Sequence, residues 1–228
     1  MNRRGGTKIA ASRKPIVVLA GEDRSDRASI RVLLEDLCPD TRGRIVEIGD
    51  SVRLRDAGSE NLKARVTTLR QKVKARAARE SADIACVFVH EDFDQPHGDT
   101  YETVRTRVEG ALLGVFSSAH YVLAVAEMEA WLLLFPDAVA AHKVSWSVPA
   151  KYRNRDTGMI ADPKRVLMRE CTPERLKYRE TDAPDVFARA AQMGRLERPV
   201  GRNDSWSRFR READECCRSH IPRPRTGQ

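Results

Sequence analysis

The sequence predicts an α/β protein: a mostly parallel sheet of about four strands flanked by helices, with a mainly helical C-terminal region. Three observations predict it. Short apolar runs rich in β-branched residues alternate with segments whose apolar residues recur at three- and four-residue spacing, the connections between them are short, and the alternation fades near residue 142.

Pro15-Ile16-Val17-Val18-Leu19-Ala20 reads as a first buried strand, turning at Gly21-Glu22-Asp23 into a helix from about Ser25 to Leu37. Ile30, Leu33, Leu34 and Leu37 give that helix one apolar face, and Ser25 or Asp26 suits its N-cap. Arg44 to Gly49 reads as a second strand. Ser59 to Arg79 reads as a long basic helix with Leu62, Val66, Leu69 and Val73 on one side. Ile84 to Val89 is a third strand, long enough to be buried, that stops abruptly in His90-Glu91-Asp92-Phe93-Asp94. A helix from Tyr101 to Phe116, a fourth strand Tyr121 to Val125 and a helix-length segment Ala126 to Phe135 follow. Beyond Ala141, Val144 to Asp162 reads as a long loop. Asp162-Pro163 reads as N-cap and first residue of a helix, and two more helices are expected over 184–193 and 205–219. The domain reading is a disordered basic lead-in (1–13), an α/β domain (14–142), a basic helical extension (143–220) and a disordered tail (221–228).

Composition narrows the class. With 228 residues, 41% hydrophobic and 32% charged, the chain can bury a real core, and no apolar run approaches the roughly 18–20 residues of a membrane span. The basic start leads into no signal-like apolar stretch, so a cytoplasmic protein is expected. Five cysteines without a CxxC pair argue against both a disulfide framework and a zinc site, and Cys86 reads as core. The net charge of +8 lies wholly in residues 143–228, which carry 20 Lys and Arg against 12 Asp and Glu. A basic back beside an acidic site suits a polyanionic substrate. P-loop and GxGxxG fingerprints are missing, so nucleotide binding by those routes is unsupported.

Three strands end at acids: Glu22, the pair Asp92 and Asp94, and the pair Glu127 and Glu129. Ligands of open α/β sheets bind at the carboxyl ends of strands. Asp92 and Asp94, two apart in an extended segment, could face one site, and clustered carboxylates suit Mg2+ or Mn2+.

The order of these acids resembles the TOPRIM (topoisomerase–primase) domain, and more narrowly small bacterial TOPRIM-like proteins related to OLD-type nucleases. Glu22-Asp23-Arg24-Ser25-Asp26 stands for the first motif, Asp92-Phe93-Asp94 for the second and Glu127-Met128-Glu129-Ala130-Trp131-Leu132-Leu133 for the third. The first motif departs, with Asp23 where the family has glycine. The resemblance implies a Rossmann-like sheet and a metal-dependent nuclease acting on DNA or RNA. Glu22, Asp92 and Asp94 would hold Mg2+ or Mn2+, and Glu127 or Glu129 would complete the site. It also implies a role in defence against phage or plasmids, often beside a partner ATPase. Lys151, Arg153, Arg155 and Lys164 are the expected nucleic-acid contacts. The alternative is a non-catalytic TOPRIM-like module that binds a nucleic acid or a partner protein.

Overall fold

A computed structural model describes residues 13–221; the expected lead-in and tail fall, but for Arg13 and Ile221, outside the described residues. The elements are β1 (Pro15–Gly21), α1 (Arg24–Leu37), β2 (Ile45–Ser51), α2 (Ser59–Arg79), β3 (Asp83–Asp92), α3 (Asp99–Leu113), β4 (Ala119–Ala124), α4 (Glu129–Leu132), α5 (Pro136–His142), α6 (Pro163–Val166), α7 (Ala183–Gln192) and α8 (Asp204–His220). All strand pairings are parallel, in the order β2-β1-β3-β4. The chain leaves β1 toward β2 on one side and β3 on the other. The crevice at the carboxyl ends of β1 and β3 is therefore the topological switch point where such sheets bind ligands.

Strand alternation makes two cores. Val17, Leu19, Cys86, Phe88, Val122 and Ala124 point into one, with Leu33 of α1, Phe187 of α7 and Phe209 of α8. Ile16, Val18, Val87, Val89, Tyr121 and Leu123 point into the other, against Val66 and Leu69 of α2 and Val108 and Leu112 of α3. Residues 143–220 are thus one layer of the main core: Phe187, Trp206 and Phe209 are fully buried, each worth roughly 1.5–3 kcal/mol of apolar burial.

Three expectations change. The segment Ala126–Phe135 is not one helix; only Glu129–Leu132 is helical before α5 starts at Pro136. Proline disfavours helical backbone in the residue before it, and Phe135 accordingly sits at φ −122, ψ 60. Asp23, rather than Ser25 or Asp26, caps α1, its side chain accepting the Asp26 N–H at 3.0 Å. The cysteines pair: Cys38 with Cys217 and Cys86 with Cys216, leaving Cys171 free and buried. Sequence spacing could not show this, because α8 carries two adjacent cysteines back across the sheet to partners more than a hundred residues earlier. No helix among the described residues is long and apolar enough to cross a membrane.

Candidate functional site

Four carboxylates from three strand ends lie within electrostatic reach of one another at the switch point. Asp92 is the last residue of β3, Asp26 lies in the first turn of α1 after β1, and Glu127 and Glu129 follow β4. Gly21 lets β1 and β3 close up there, since a Cβ on it would stand 3.1 Å from the His90 carbonyl oxygen. Asp92 Oδ1 accepts the Met128 N–H at 2.9 Å, tying β3 to the segment that carries both glutamates. Glu129 is buried and accepts from the Tyr178 hydroxyl at 3.0 Å. Glu127 Oε2 accepts the Lys164 N–H at 3.2 Å.

The acids raise one another. Burial holds Asp92 well above the usual carboxylate range, and the charges of Asp26, Glu129 and Glu127 add to it. Asp26 is pushed up to about 8 by burial and then by Asp23 and Glu129. Glu129 rises to about 7, again by burial first, with Lys164 opposing and Glu127 reinforcing the shift. Lys164 loses some charge stability to burial, but Glu180, Glu129 and Glu127 outweigh this and keep it protonated. The recess is reachable: the side chains of Asp26 and Asp92 keep 14% and 21% of their surface accessible.

His90 lies inside this cluster. Its Nδ1 is 3.5 Å from Asp26 Oδ2 and its Nε2 3.6 Å from Asp92 Oδ1, yet neither nitrogen makes a hydrogen bond. Burial lowers its pKa to about 4, so the ring is neutral and spaces the two acids. Below the cluster, Ser205 Oγ on α8 accepts the Val125 N–H at 3.0 Å and Trp131 Nε1–H at 2.9 Å, and donates to Asn203 Oδ1 at 2.6 Å. That network fixes the chain leading into α4.

The other expected site residues stand apart. Asp94 adopts φ 58, so the extended geometry that would place it beside Asp92 breaks off; its exposed carboxylate pairs with Arg55 at 2.7 Å, within electrostatic reach of Glu127. Glu22 pairs with Arg53 at 2.7 Å. Buried Glu91 fastens the loop bearing both arginines: it accepts the Leu54 N–H and the Tyr121 hydroxyl, each at 2.8 Å. Of the expected nucleic-acid contacts, Lys164 sits at the acids, its ammonium on Glu180. Lys151 pairs with Glu170, Arg153 donates to the Val148 carbonyl at 2.9 Å, and Arg155 is exposed. A cavity of about 510 Å³ between the end of β2 and α2, lined by Val52, Leu54, Leu69 and Lys72, holds none of the four acids.

Of the residues the sequence singles out, the structure groups Asp92, Glu127, Glu129 and Lys164, and it adds Asp26 and His90 to that group. Asp26 carries a legible signal, an acid three residues after a capping acid in the turn that follows a strand. His90 carries none, since a histidine closing an apolar strand reads as core. Comparison with protein-family models, curated proteins and solved structures finds no match.

Buried carboxylates that repel one another take up a proton or a hard cation, and an all-oxygen set suits Mg2+ or Mn2+. Asp26, Asp92 and Glu129 have that donor chemistry, but among the described residues no three of the acids bring one oxygen each within 4.8 Å of one another, so an ion held by three of them would draw their side chains together.

Proposed function

We propose that the chain is a Mg2+- or Mn2+-dependent phosphodiester hydrolase of DNA or RNA, of the TOPRIM-like kind its acidic motifs resemble. The observation that carries this reading is the electrostatic grouping of Asp26, Asp92, Glu127 and Glu129 at the switch point of a parallel sheet. Asp92, Glu129 and Asp26 would hold the ion. A metal bound there supplies Lewis-acid polarisation of a scissile phosphate and neutralises charge on the departing oxygen. Lys164 offers a fixed positive charge, and exposed Arg53 offers a cation at the rim for a backbone phosphate, while Arg55 is engaged by Asp94 and Asp56. Glu22 and Asp94 hold those arginines in place. A role in phage or plasmid defence, a partner ATPase and a cytoplasmic location rest on the resemblance and on sequence character.

The second reading, a non-catalytic module that binds a nucleic acid or a protein, draws on the pairing of Glu22 and Asp94 with arginines, which leaves two expected ligands neutralised. One experiment separates the two. Mn2+ binding by calorimetry and cutting of supercoiled plasmid and single-stranded RNA are measured for the wild type and for Asp92→Asn/Glu129→Gln. The hydrolase reading expects binding and cutting in the first and neither in the second. A wild type that binds nucleic acid but neither takes up Mn2+ nor cuts establishes the binding module instead.

A further inference from the structure

A second constellation lies on the sheet face under α8, away from the acids. Cys86 on β3 and His120 on β4 share that face, because Phe88 is the register partner of His120 and Cys86 precedes Phe88 by two residues. The His120 ring stacks on Phe88 with centroids 4.5 Å apart. α8 lies across both strands and brings Cys216 down onto them. One ligating atom each from Cys86, His120 and Cys216 falls within 4.8 Å of the other two, and all three residues are buried. Zinc–sulfur bonds of about 2.3 Å and zinc–nitrogen bonds of about 2.0–2.1 Å put neighbouring ligands of a tetrahedral site roughly 3.3–3.8 Å apart, so small side-chain adjustments in the thiol form suffice.

The histidine is the second, independent observation. It is only 7% exposed, yet its Nε2 makes no hydrogen bond. A buried imidazole nitrogen without a partner is a cost that sequences normally avoid. Two sulfurs bonded to each other offer the imidazole little; a metal held between two thiolates would take one of its ring nitrogens. Beside it opens a cavity of about 460 Å³ whose lining includes His120, Glu212, Glu215 and His220, so a fourth ligand or water has a way in.

We propose that Cys86, His120 and Cys216 form a binding site for a thiophilic divalent cation, zinc above all, and that the Cys86–Cys216 disulfide is the oxidised, metal-free form of that site. A dithiol reductant gives two electrons and two protons to the disulfide and leaves as its own disulfide. Zn2+ then binds both thiolates and the neutral imidazole, releasing the two thiol protons. The S2N donor set selects zinc over the hard cations that suit the carboxylate cluster, so the two sites do not compete for one ion. Either form staples α8 to β3. Reduction without metal leaves that staple open, and the site therefore reads both redox state and zinc supply.

The test uses the full chain, reduced with a phosphine that is then removed, and titrated with Co2+ as a spectroscopic stand-in. Expected are thiolate-to-cobalt absorption saturating at one equivalent, its displacement by Zn2+, and no such absorption before reduction. Cys86→Ser, Cys216→Ser and His120→Ala should each weaken binding at least 100-fold, while Cys38→Ser/Cys217→Ser binds as the wild type does. Should a site variant not fold, alkylation of the reduced wild type with and without Zn2+ decides: zinc should protect Cys86 and Cys216 but leave labelling of Cys38 and Cys217 unchanged. A reduced wild type that shows no thiolate-to-cobalt absorption, or zinc protection confined to Cys38 and Cys217, overturns the proposal.

Discussion

Asp92 and Asp94 are two residues apart and live in opposite environments. Asp92 is sunk among Asp26, Glu127 and Glu129, where burial makes its charge expensive; Asp94, one left-handed residue further on, meets solvent and Arg55. The same contrast separates Glu129 from Glu22. Inside the recess, repulsion stores a demand for a proton or a cation, whereas at the rim that demand is already met by arginine. An acid motif therefore divides by backbone conformation into carboxylates buried together and carboxylates that pair with surface arginines.

The widest difference is expected from Asp92→Asn/Glu129→Gln. This variant should lose Mn2+ affinity and any cutting by more than the roughly 10–100-fold that losing an outer-shell partner costs, while keeping the fold, since asparagine can still accept the Met128 N–H. Calorimetry alongside the plasmid assay checks it. Next comes the floor beneath the recess. Trp131→Ala should destabilise the protein by about 3–5 kcal/mol in chemical denaturation, because the indole is fully buried and packs on Trp206 and Phe209; an unchanged midpoint would contradict this packing.

A third prediction uses the proton demand itself. Asp26 and Glu129 have ordinary values of 3.8 and 4.5 and folded-state values of about 8 and about 7. Between those limits these two acids hold more protons in the folded chain than in the unfolded one, so they make stability fall as pH rises, and His90 and His120, lowered to about 4, oppose this only below their ordinary value of 6.5. In metal-free buffer the melting temperature should drop from pH 5 to pH 8.5, Mn2+ should restore it at the upper end, and Asp26→Asn should flatten the slope. A melting temperature that climbs over this range without metal would place the acids outside the recess. The smallest effect belongs to the rim: Glu22→Gln/Asp94→Asn removes two surface pairs, each worth about 0–1 kcal/mol, and should change Mn2+ affinity only a few-fold. A loss matching that of the Asp92 variant would erase the distinction between recess and rim.

Much of this was legible in the sequence, and the gaps have physical causes. All four strands, α2, α3 and α8 follow from local periodicity, and Asp162 caps α6 as the Asp162-Pro163 pair suggests. Asp92, Glu127 and Glu129 were found because strand ends are where parallel sheets bind ligands. Asp94 and Glu22 were placed with them because sequence does not show that Asp94 turns left-handed or that Arg53 and Arg55 reach back from the next loop. The paired cysteines and the role of residues 143–220 as core were hidden for a related reason. Both depend on α8 returning across β3 and β4, and no local pattern encodes that return.

Ser205 accepts hydrogen bonds from Val125 and Trp131, 80 and 74 residues earlier in the chain. During synthesis at about 5–20 residues per second, the acids therefore leave the ribosome several seconds before the serine that secures them. A nascent chain holding every strand and every carboxylate of the recess would still lack the indole's anchor and the layer of Trp206 and Phe209 beneath it. Protease protection of Trp131 in stalled nascent chains should appear only once the segment through Phe209 has emerged, which makes synthesis of α8 the step that secures the recess.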